Sequence, residues 1–168
     1  MAASVSTAPG PGGAGDDPEA QWLSAQEQQV WRTFLDVSRL LFDRLGRQLA
    51  DESDISFAEF EVLVHLSEAP GRRLRMSELA ALAVSSRSRI THTVARMEDR
   101  GLVRRESCPD DGRGVLCVLT DAGFFHLVEV APGHVQMVRR IMFDKLSPSE
   151  VATLGAAMLT VRQALREV

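Results

Sequence analysis

Apolar residues recur every three or four positions along most of the chain, which predicts a mainly helical protein. A first long helix is expected within residues 21–55, because an apolar stripe runs through Val30, Phe34, Val37, Leu41 and Leu45. Its apolar surface is wider than this stripe, so we expect part of it to contact a second subunit. A second helix is predicted from about Ser56 to Glu68, where Ala69-Pro70-Gly71 ends it.

The middle of the chain predicts two short helices joined by a tight turn. The first covers about Ser77 to Ala83, and the second covers about Ser86 to Arg100, with Val84-Ser85 as the turn between them. Gly101 stands where a helix often ends in a left-handed residue. Because the second helix is polar and rich in arginine on its outer face, the pair is typical of a helix-turn-helix.

A β-hairpin is predicted directly after this second helix. Leu102 to Cys108 and Gly114 to Leu119 favour strands, and the segment between them, Pro109-Asp110-Asp111-Gly112-Arg113, is rich in turn residues. A hairpin that directly follows a helix-turn-helix is called a wing. Residues 72–75 are expected to add a short edge strand.

The C-terminal part predicts two more helices. Thr120 is a suitable N-cap for a helix that runs to about Lys145, although Pro132-Gly133 should kink or interrupt it. Ser147-Pro148-Ser149-Glu150 has the form of a capping box and opens the last helix. That helix carries an apolar stripe consisting of Val151, Leu154, Met158, Val161 and Leu165.

The length of 168 residues suits one domain. Residues 1–20 contain almost no large apolar side chain, so we expect a disordered tail there. No apolar run is long enough to cross a bilayer, and the N-terminus lacks the pattern of a signal peptide. The sequence therefore predicts a cytoplasmic protein that does not enter membranes.

Charge is distributed unevenly, although the formal net charge of the whole chain is only −4. The segment from Arg72 to Arg113 holds ten arginines and six acidic residues, which leaves it at +4 and the rest of the chain at −8. A basic segment within an acidic chain is expected where one face meets phosphates. A solvated arginine-rich face would give the same charges, so this distribution alone does not show that the protein binds nucleic acid.

The outer face of the second short helix carries side chains that suit double-stranded DNA. Arg87 and Arg89 can each donate two hydrogen bonds to guanine, and Arg96, further along, is better placed for phosphate. Arg113 at the wing tip can enter a narrow minor groove, and Asp111 is expected to support the wing. The other predicted contacts are the short polar side chains and the histidine of the same helix, namely Ser86, Ser88, Thr91 and His92.

Signals for other chemistry are weak. The four histidines lack the spacing of a metal site, and no catalytic motif or cofactor fingerprint is present, so we expect neither an enzyme nor a cofactor or metal. His65 is interpreted as a core histidine, with contact to a ligand or regulatory metal as the alternative. Cys108 and Cys117 lie on opposite arms of the wing, which leaves a redox-sensing disulfide as one hypothesis. The alternative is two ordinary thiols, with Cys117 buried as a small hydrophobic residue and Cys108 exposed.

Three segments resemble the MarR (multiple antibiotic resistance regulator) family of winged helix-turn-helix regulators. They are Met76-Ser77-Glu78-Leu79-Ala80, the run Ser86 to Val103, and Asp111-Gly112-Arg113 followed by a strand that ends in Leu119-Thr120. The resemblance implies a homodimer in which the first, fifth and sixth helices intertwine, and two winged modules that straddle pseudo-palindromic DNA. It also implies a pocket for a small-molecule effector between the dimer helices and the winged module.

The sequence and the resemblance together predict four regions. These are a disordered tail (1–20), an N-terminal dimerisation helix (21–55), the winged helix-turn-helix DNA-binding region (56–120) and C-terminal dimerisation helices (121–168). The expected function is that of a sequence-specific DNA-binding transcription regulator, usually a repressor in this family. The alternative is an architectural or protein-interaction module that has no ligand and little preference among DNA sequences.

Overall fold

The computed structural model describes residues 21–108 and 111–167, and for residues 111–113 it describes the backbone alone. Within these ranges the chain forms helices α1 (Ala25–Ser53), α2 (Phe57–Glu68), α3 (Met76–Leu82), α4 (Arg87–Asp99), α5 (Asp121–Ile141) and α6 (Pro148–Glu167). Its strands are β1 (Arg73–Arg75), β2 (Val103–Cys108) and β3 (Asp111–Leu119). The predicted fold class, mainly α with a small β wing, is confirmed. The predicted tail over residues 1–20 lies outside the described residues.

The chain divides into two compact units, and the boundary follows Leu35 inside α1. In the first unit, the start of α1 is held by contacts one helical turn apart, such as the hydrogen bond from Gln29 Nε2 to Thr33 Oγ1 at 3.2 Å. Trp31 and Phe34 stack with ring centroids 5.9 Å apart, and both remain half exposed. The second unit, residues 36–167, contains everything described below.

The core of the second unit lies where α2, α3 and α4 pack on the sheet. Leu63, Leu79, Val94, Met97 and Val103 are all fully buried there. Burial of such side chains stabilises the fold by about 1.5–3 kcal/mol each. Helix α5 adds Leu127 and Val130 to the same core. The helix-turn-helix and the sheet therefore form one packed body.

The sheet is antiparallel, with β3 between β1 and β2. β1 pairs with β3 through Leu74 opposite Cys117, and β2 pairs with β3 from Val103 opposite Leu119 out to Cys108 opposite Asp111. The pairing shifts register next to Cys108, at the far end of the hairpin. The predicted wing is thus present, and its second strand begins at Asp111 rather than at Gly114.

Helix α5 corrects one prediction. The sequence predicted a kink or interruption at Pro132-Gly133. The interruption is wrong, because α5 is a single helix from Asp121 to Ile141 with Pro132 inside it, and the kink stays a prediction. Proline removes one backbone hydrogen bond from a helix. The carbonyl that loses its partner is that of Val128, four residues earlier, and because Val128 is also exposed, solvent can satisfy it. The expected end near Lys145 is also wrong, because a 3-10 turn over Phe143–Lys145 follows the helix.

Helix α6 is unlike the other helices of the second unit, because none of its residues is buried. Its predicted apolar stripe is largely open, with Met158, Val161 and Leu165 about half to three-quarters exposed. Apolar stripes of this size usually meet another protein surface. Within the described ranges, no helix is long and apolar enough to cross a membrane.

Candidate nucleic-acid interface

The turn between α3 and α4 sets the direction in which α4 leaves α3. Val84 has a φ of 45°, a left-handed conformation that is unfavourable for a β-branched residue, and its side chain is 93% exposed. The Ser85 backbone N–H donates to the Ala80 carbonyl at 3.0 Å. Ser86 then caps α4, since its Oγ accepts a hydrogen bond from the Arg89 backbone N–H at 3.3 Å. Ser86 therefore has a structural role besides the predicted contact with DNA.

The rotation of α4 is fixed by its buried face. Ile90, Val94 and Met97 point into the core, and successive residues of a helix are about 100° apart. Ser88 and His92 consequently occupy the centre of the outer face. All seven predicted contact residues of this helix and its cap are exposed, namely Ser86, Arg87, Ser88, Arg89, Thr91, His92 and Arg96. These exposed residues extend from one flank of the helix, across Ser88 and His92, to the other flank, and we call this surface the α4 face.

The arginines lie on the two flanks of the α4 face. Arg87 lies on the same flank as Thr91, whose hydroxyl donates to the Arg87 carbonyl at 2.8 Å. Arg89 and Arg96 lie on the opposite flank, because residues seven apart complete nearly two helical turns. The predicted base contacts, Arg87 and Arg89, therefore straddle the line of Ser88 and His92 rather than lying beside each other.

The wing is joined to α4 by a carboxylate that the sequence analysis did not single out. Glu98 Oε1 accepts from the Arg105 backbone N–H at 2.7 Å, and Oε2 accepts from the Arg105 guanidinium at 2.7 and 2.6 Å. These hydrogen bonds, those of the guanidinium first, hold the pKa of Glu98 below its usual range. Because the joint links a helix to a strand, no spacing rule in the sequence reveals it.

A second joint lies at the base of the wing, where β2 begins and β3 ends. Gly101 has a φ of 73° and ends α4, as the sequence predicted. The Thr120 hydroxyl oxygen lies 2.7 Å from the Gly101 carbonyl oxygen and accepts from the Gly123 backbone N–H at 3.0 Å. Both strands of the hairpin therefore leave from fixed points beside α4.

Two predicted wing residues lie partly outside the description. Asp111 and Arg113 belong to β3 by their backbone, but their side chains are not among those described. Minor-groove contact by Arg113 and support of the wing by Asp111 therefore stay predictions.

The two cysteines do not fit the hypothesis of a redox-sensing disulfide. Cys117 lies opposite Arg105, whereas Cys108 lies three residues further along β2, opposite Asp111. Three strand residues span roughly 10 Å, and a disulfide needs Cα atoms within about 7 Å. Cys117 is completely buried, and that burial raises the pKa of its thiol to about 12. Both cysteines are free thiols, and Cys108, for which we expected exposure, is buried as well.

The histidines give no support for a metal site. Within the parts of the chain that the structure describes, no group of three or more His, Cys, Asp or Glu side chains is close enough to bind an ion. His65 is half-buried on α2. His134, on α5, packs against Phe60 with ring centroids 4.3 Å apart, and burial lowers the pKa of its imidazole.

The comparisons with known proteins agree with this architecture. A model of the MarR family matches residues 53–114. The regulator YkoM of Bacillus subtilis (strain 168) is 34% identical over 133 residues, which cover 76% of this chain and 84% of YkoM. The regulator PecS of Dickeya dadantii is 30% identical, over 85% of this chain and 86% of PecS.

Two solved structures from Streptomyces coelicolor are also similar. Sco3205, a MarR family transcriptional regulator crystallised in complex with DNA, is 46% identical, covers 89% of this chain and 93% of its own, and superposes with a TM-score of 0.84. AbsC, of the same family, is 42% identical over 89% of this chain and 100% of its own, with a TM-score of 0.82. Members of this family are transcription regulators and not enzymes. This chain therefore belongs to the MarR family of transcriptional regulators.

Proposed function

We propose that this protein is a repressor that binds a pseudo-palindromic operator as a homodimer and responds to a small-molecule effector. The observation that carries the proposal is the α4 face, on which polar and cationic side chains are exposed beside a wing that is fixed by Glu98. A helix of this kind fits the major groove of DNA, and its N-terminal residues reach the base edges. The cytoplasmic location expected from the sequence stays a prediction.

The homodimer is supported by surfaces that one protomer leaves open. On α6 the exposed apolar stripe consists of Met158, Val161 and Leu165, and in the second unit α1 also exposes Val37 and Leu40. A second copy that covers the same stripes would form a two-fold interface. Two α4 faces related by such an axis would read two copies of one half-site.

The effector is supported by buried polar atoms between α1 and α5. Gln48 Oε1 and His134 Nδ1 are buried, and neither has a hydrogen-bond partner among the described residues. Gln48 approaches α5 at the residue before His134, since a Cβ added to Gly133 would lie 3.4 Å from Gln48 Nε2. Buried groups of this kind usually bind water or a ligand, and the adjacent rings of Phe57 and Phe60 suit an aromatic or apolar ligand with a polar edge.

Selection of DNA from a random duplex library tests the proposed function. We expect the full chain to enrich an inverted repeat whose half-sites are centred about 10 base pairs apart, or a multiple of that spacing. Enrichment of a single non-repeated site would contradict the dimeric part of the proposal. Enrichment of no sequence would favour an architectural module, which binds duplex DNA through its phosphates alone.

A further inference from the structure

Glu59 is an acidic side chain whose burial the sequence analysis did not anticipate. It lies at the start of α2 and is only 6% exposed. Its Oε2 accepts hydrogen bonds from the Ser56 backbone N–H and the Ser56 hydroxyl, both at 2.7 Å, and Ser56 Oγ accepts in turn from the Glu59 backbone N–H at 3.3 Å. One carboxylate oxygen therefore completes a capping box.

The other oxygen of Glu59 faces the C-terminal part of α4. Oε1 lies 3.7 Å from Arg96 Nε and 4.0 Å from Arg100 Nη1. A buried carboxylate requires compensating charge; here Arg96 lies in α4 and Arg100 is the C-cap of that helix. Arg100 has a second acidic neighbour, because its Nη2 lies 4.0 Å from the exposed Asp54. The ion pair found for Arg96 is with Glu59.

The two ends of this ion pair differ in their surroundings. The Glu59 side chain is 7% exposed, whereas that of Arg96 is 63% exposed. A buried charge is screened less by salt than a surface charge, so Glu59 can act on Arg96 where an exposed acid would have little effect. The exposed guanidinium keeps donors free for another acceptor, since a planar guanidinium has five N–H groups.

We propose that Glu59 is a positioning residue for DNA binding, which holds Arg96 in the orientation that reaches a phosphate of the operator. This inference rests on the proposed function, because it requires that the α4 face meets DNA. It makes the start of α2 part of the interface although Glu59 itself does not touch DNA. It also links the segment between α1 and α2 to the helix that carries the predicted contacts.

The substitution Glu59→Gln removes the negative charge of the side chain but keeps an oxygen that can cap α2. Glutamine at this position still completes a capping box, so α2 should begin as before, while the attraction for Arg96 is lost. We expect the variant to bind both the selected operator and a scrambled duplex about three- to tenfold more weakly. The two affinities should fall by similar factors because a phosphate contact does not read sequence.

A double-mutant cycle tests whether Glu59 acts through Arg96. Affinities are measured at several salt concentrations for the wild type, E59Q, R96Q and E59Q/R96Q, and thermal unfolding of each variant checks the fold. R96Q should bind more weakly than the wild type, and E59Q should cause no further loss in the R96Q background. The matched control is R100Q, in whose background E59Q should retain its full effect.

Other results would overturn the inference. Tighter binding by E59Q to both duplexes would mean that Glu59 only adds negative charge to the interface and repels the phosphates. An equal loss with and without Arg96 would mean that Glu59 supports α2 and nothing more. If the wild type itself fails to select any sequence, the proposed function fails, whereas a neutral E59Q beside a selective wild type refutes this inference alone.

Discussion

Gly123→Ala should destabilise the protein by about 3 kcal/mol or more, because it forces a methyl group into backbone atoms. A Cβ at this position would lie 2.0 Å from the Leu102 carbonyl oxygen and 2.8 Å from Leu119 Cδ1. The carbonyl cannot move freely, since it accepts a hydrogen bond from the Thr120 backbone N–H at 3.2 Å. Urea unfolding monitored by circular dichroism measures the loss.

Gly46→Ala is the matched control for that substitution. Gly46 also lies inside a helix, but a Cβ there meets nothing within 4 Å. Alanine favours helices over glycine by about 1 kcal/mol, so the control should be as stable as the wild type or slightly more stable. Equal stability of the two variants would show that α5 does not approach the start of the wing as closely as described.

The second large effect is expected when lysines replace two residues of the apolar stripe of α6. Met158→Lys combined with Val161→Lys should prevent two protomers from associating, because lysine cannot be buried there without a partner. Operator affinity should fall by about 100-fold or more, since two linked half-site contacts become two separate ones. Sedimentation equilibrium at micromolar concentration, followed by titration of the operator, measures both effects.

The control for the stripe carries the same added charge on the other side of α6. Thr160→Lys combined with Gln163→Lys places two lysines on the face opposite the stripe, where Gln163 is exposed. This variant should remain a dimer and bind the operator at least as well as the wild type. A stripe variant that stays dimeric with unchanged affinity would refute the proposed use of α6.

Much of the fold follows from the sequence because its signals are local. The spacing of Ile90, Val94 and Met97 predicted both the existence of α4 and its buried face, and Gly101 marked its end. The turn residues between β2 and β3 predicted the hairpin. Helix α5 continues through Pro132 where an interruption was predicted, because the exposure of this part of the helix, which lets solvent reach the freed carbonyl, depends on tertiary packing.

The joints around the α4 face could not be predicted in the same way. Ser56-x-x-Glu59 has the form of a capping box, so the cap itself was accessible to sequence reasoning, but the approach of Arg96 to Glu59 brings together residues on different helices. Glu98 and Arg105 also come from different elements, a helix and a strand. A disulfide between Cys108 and Cys117 looked possible from their positions along the chain, and only the strand register excluded it.

The central claim is that α4 reads the sequence of the operator, and competition binding tests it most directly. Arg87→Ala, Arg89→Ala and Arg96→Ala are each titrated against the operator and a scrambled duplex at several salt concentrations. Loss of Arg87 or Arg89 should weaken the free energy of binding to the operator by about 1–3 kcal/mol. The loss should be smaller with scrambled DNA, so that the ratio of the two affinities falls. Arg96→Ala should lower the affinities for the operator and for scrambled DNA by similar factors. It should also make the slope of log affinity against log salt concentration shallower by about one unit. If all three variants lower both affinities equally, α4 only anchors the protein on DNA and the claim is wrong.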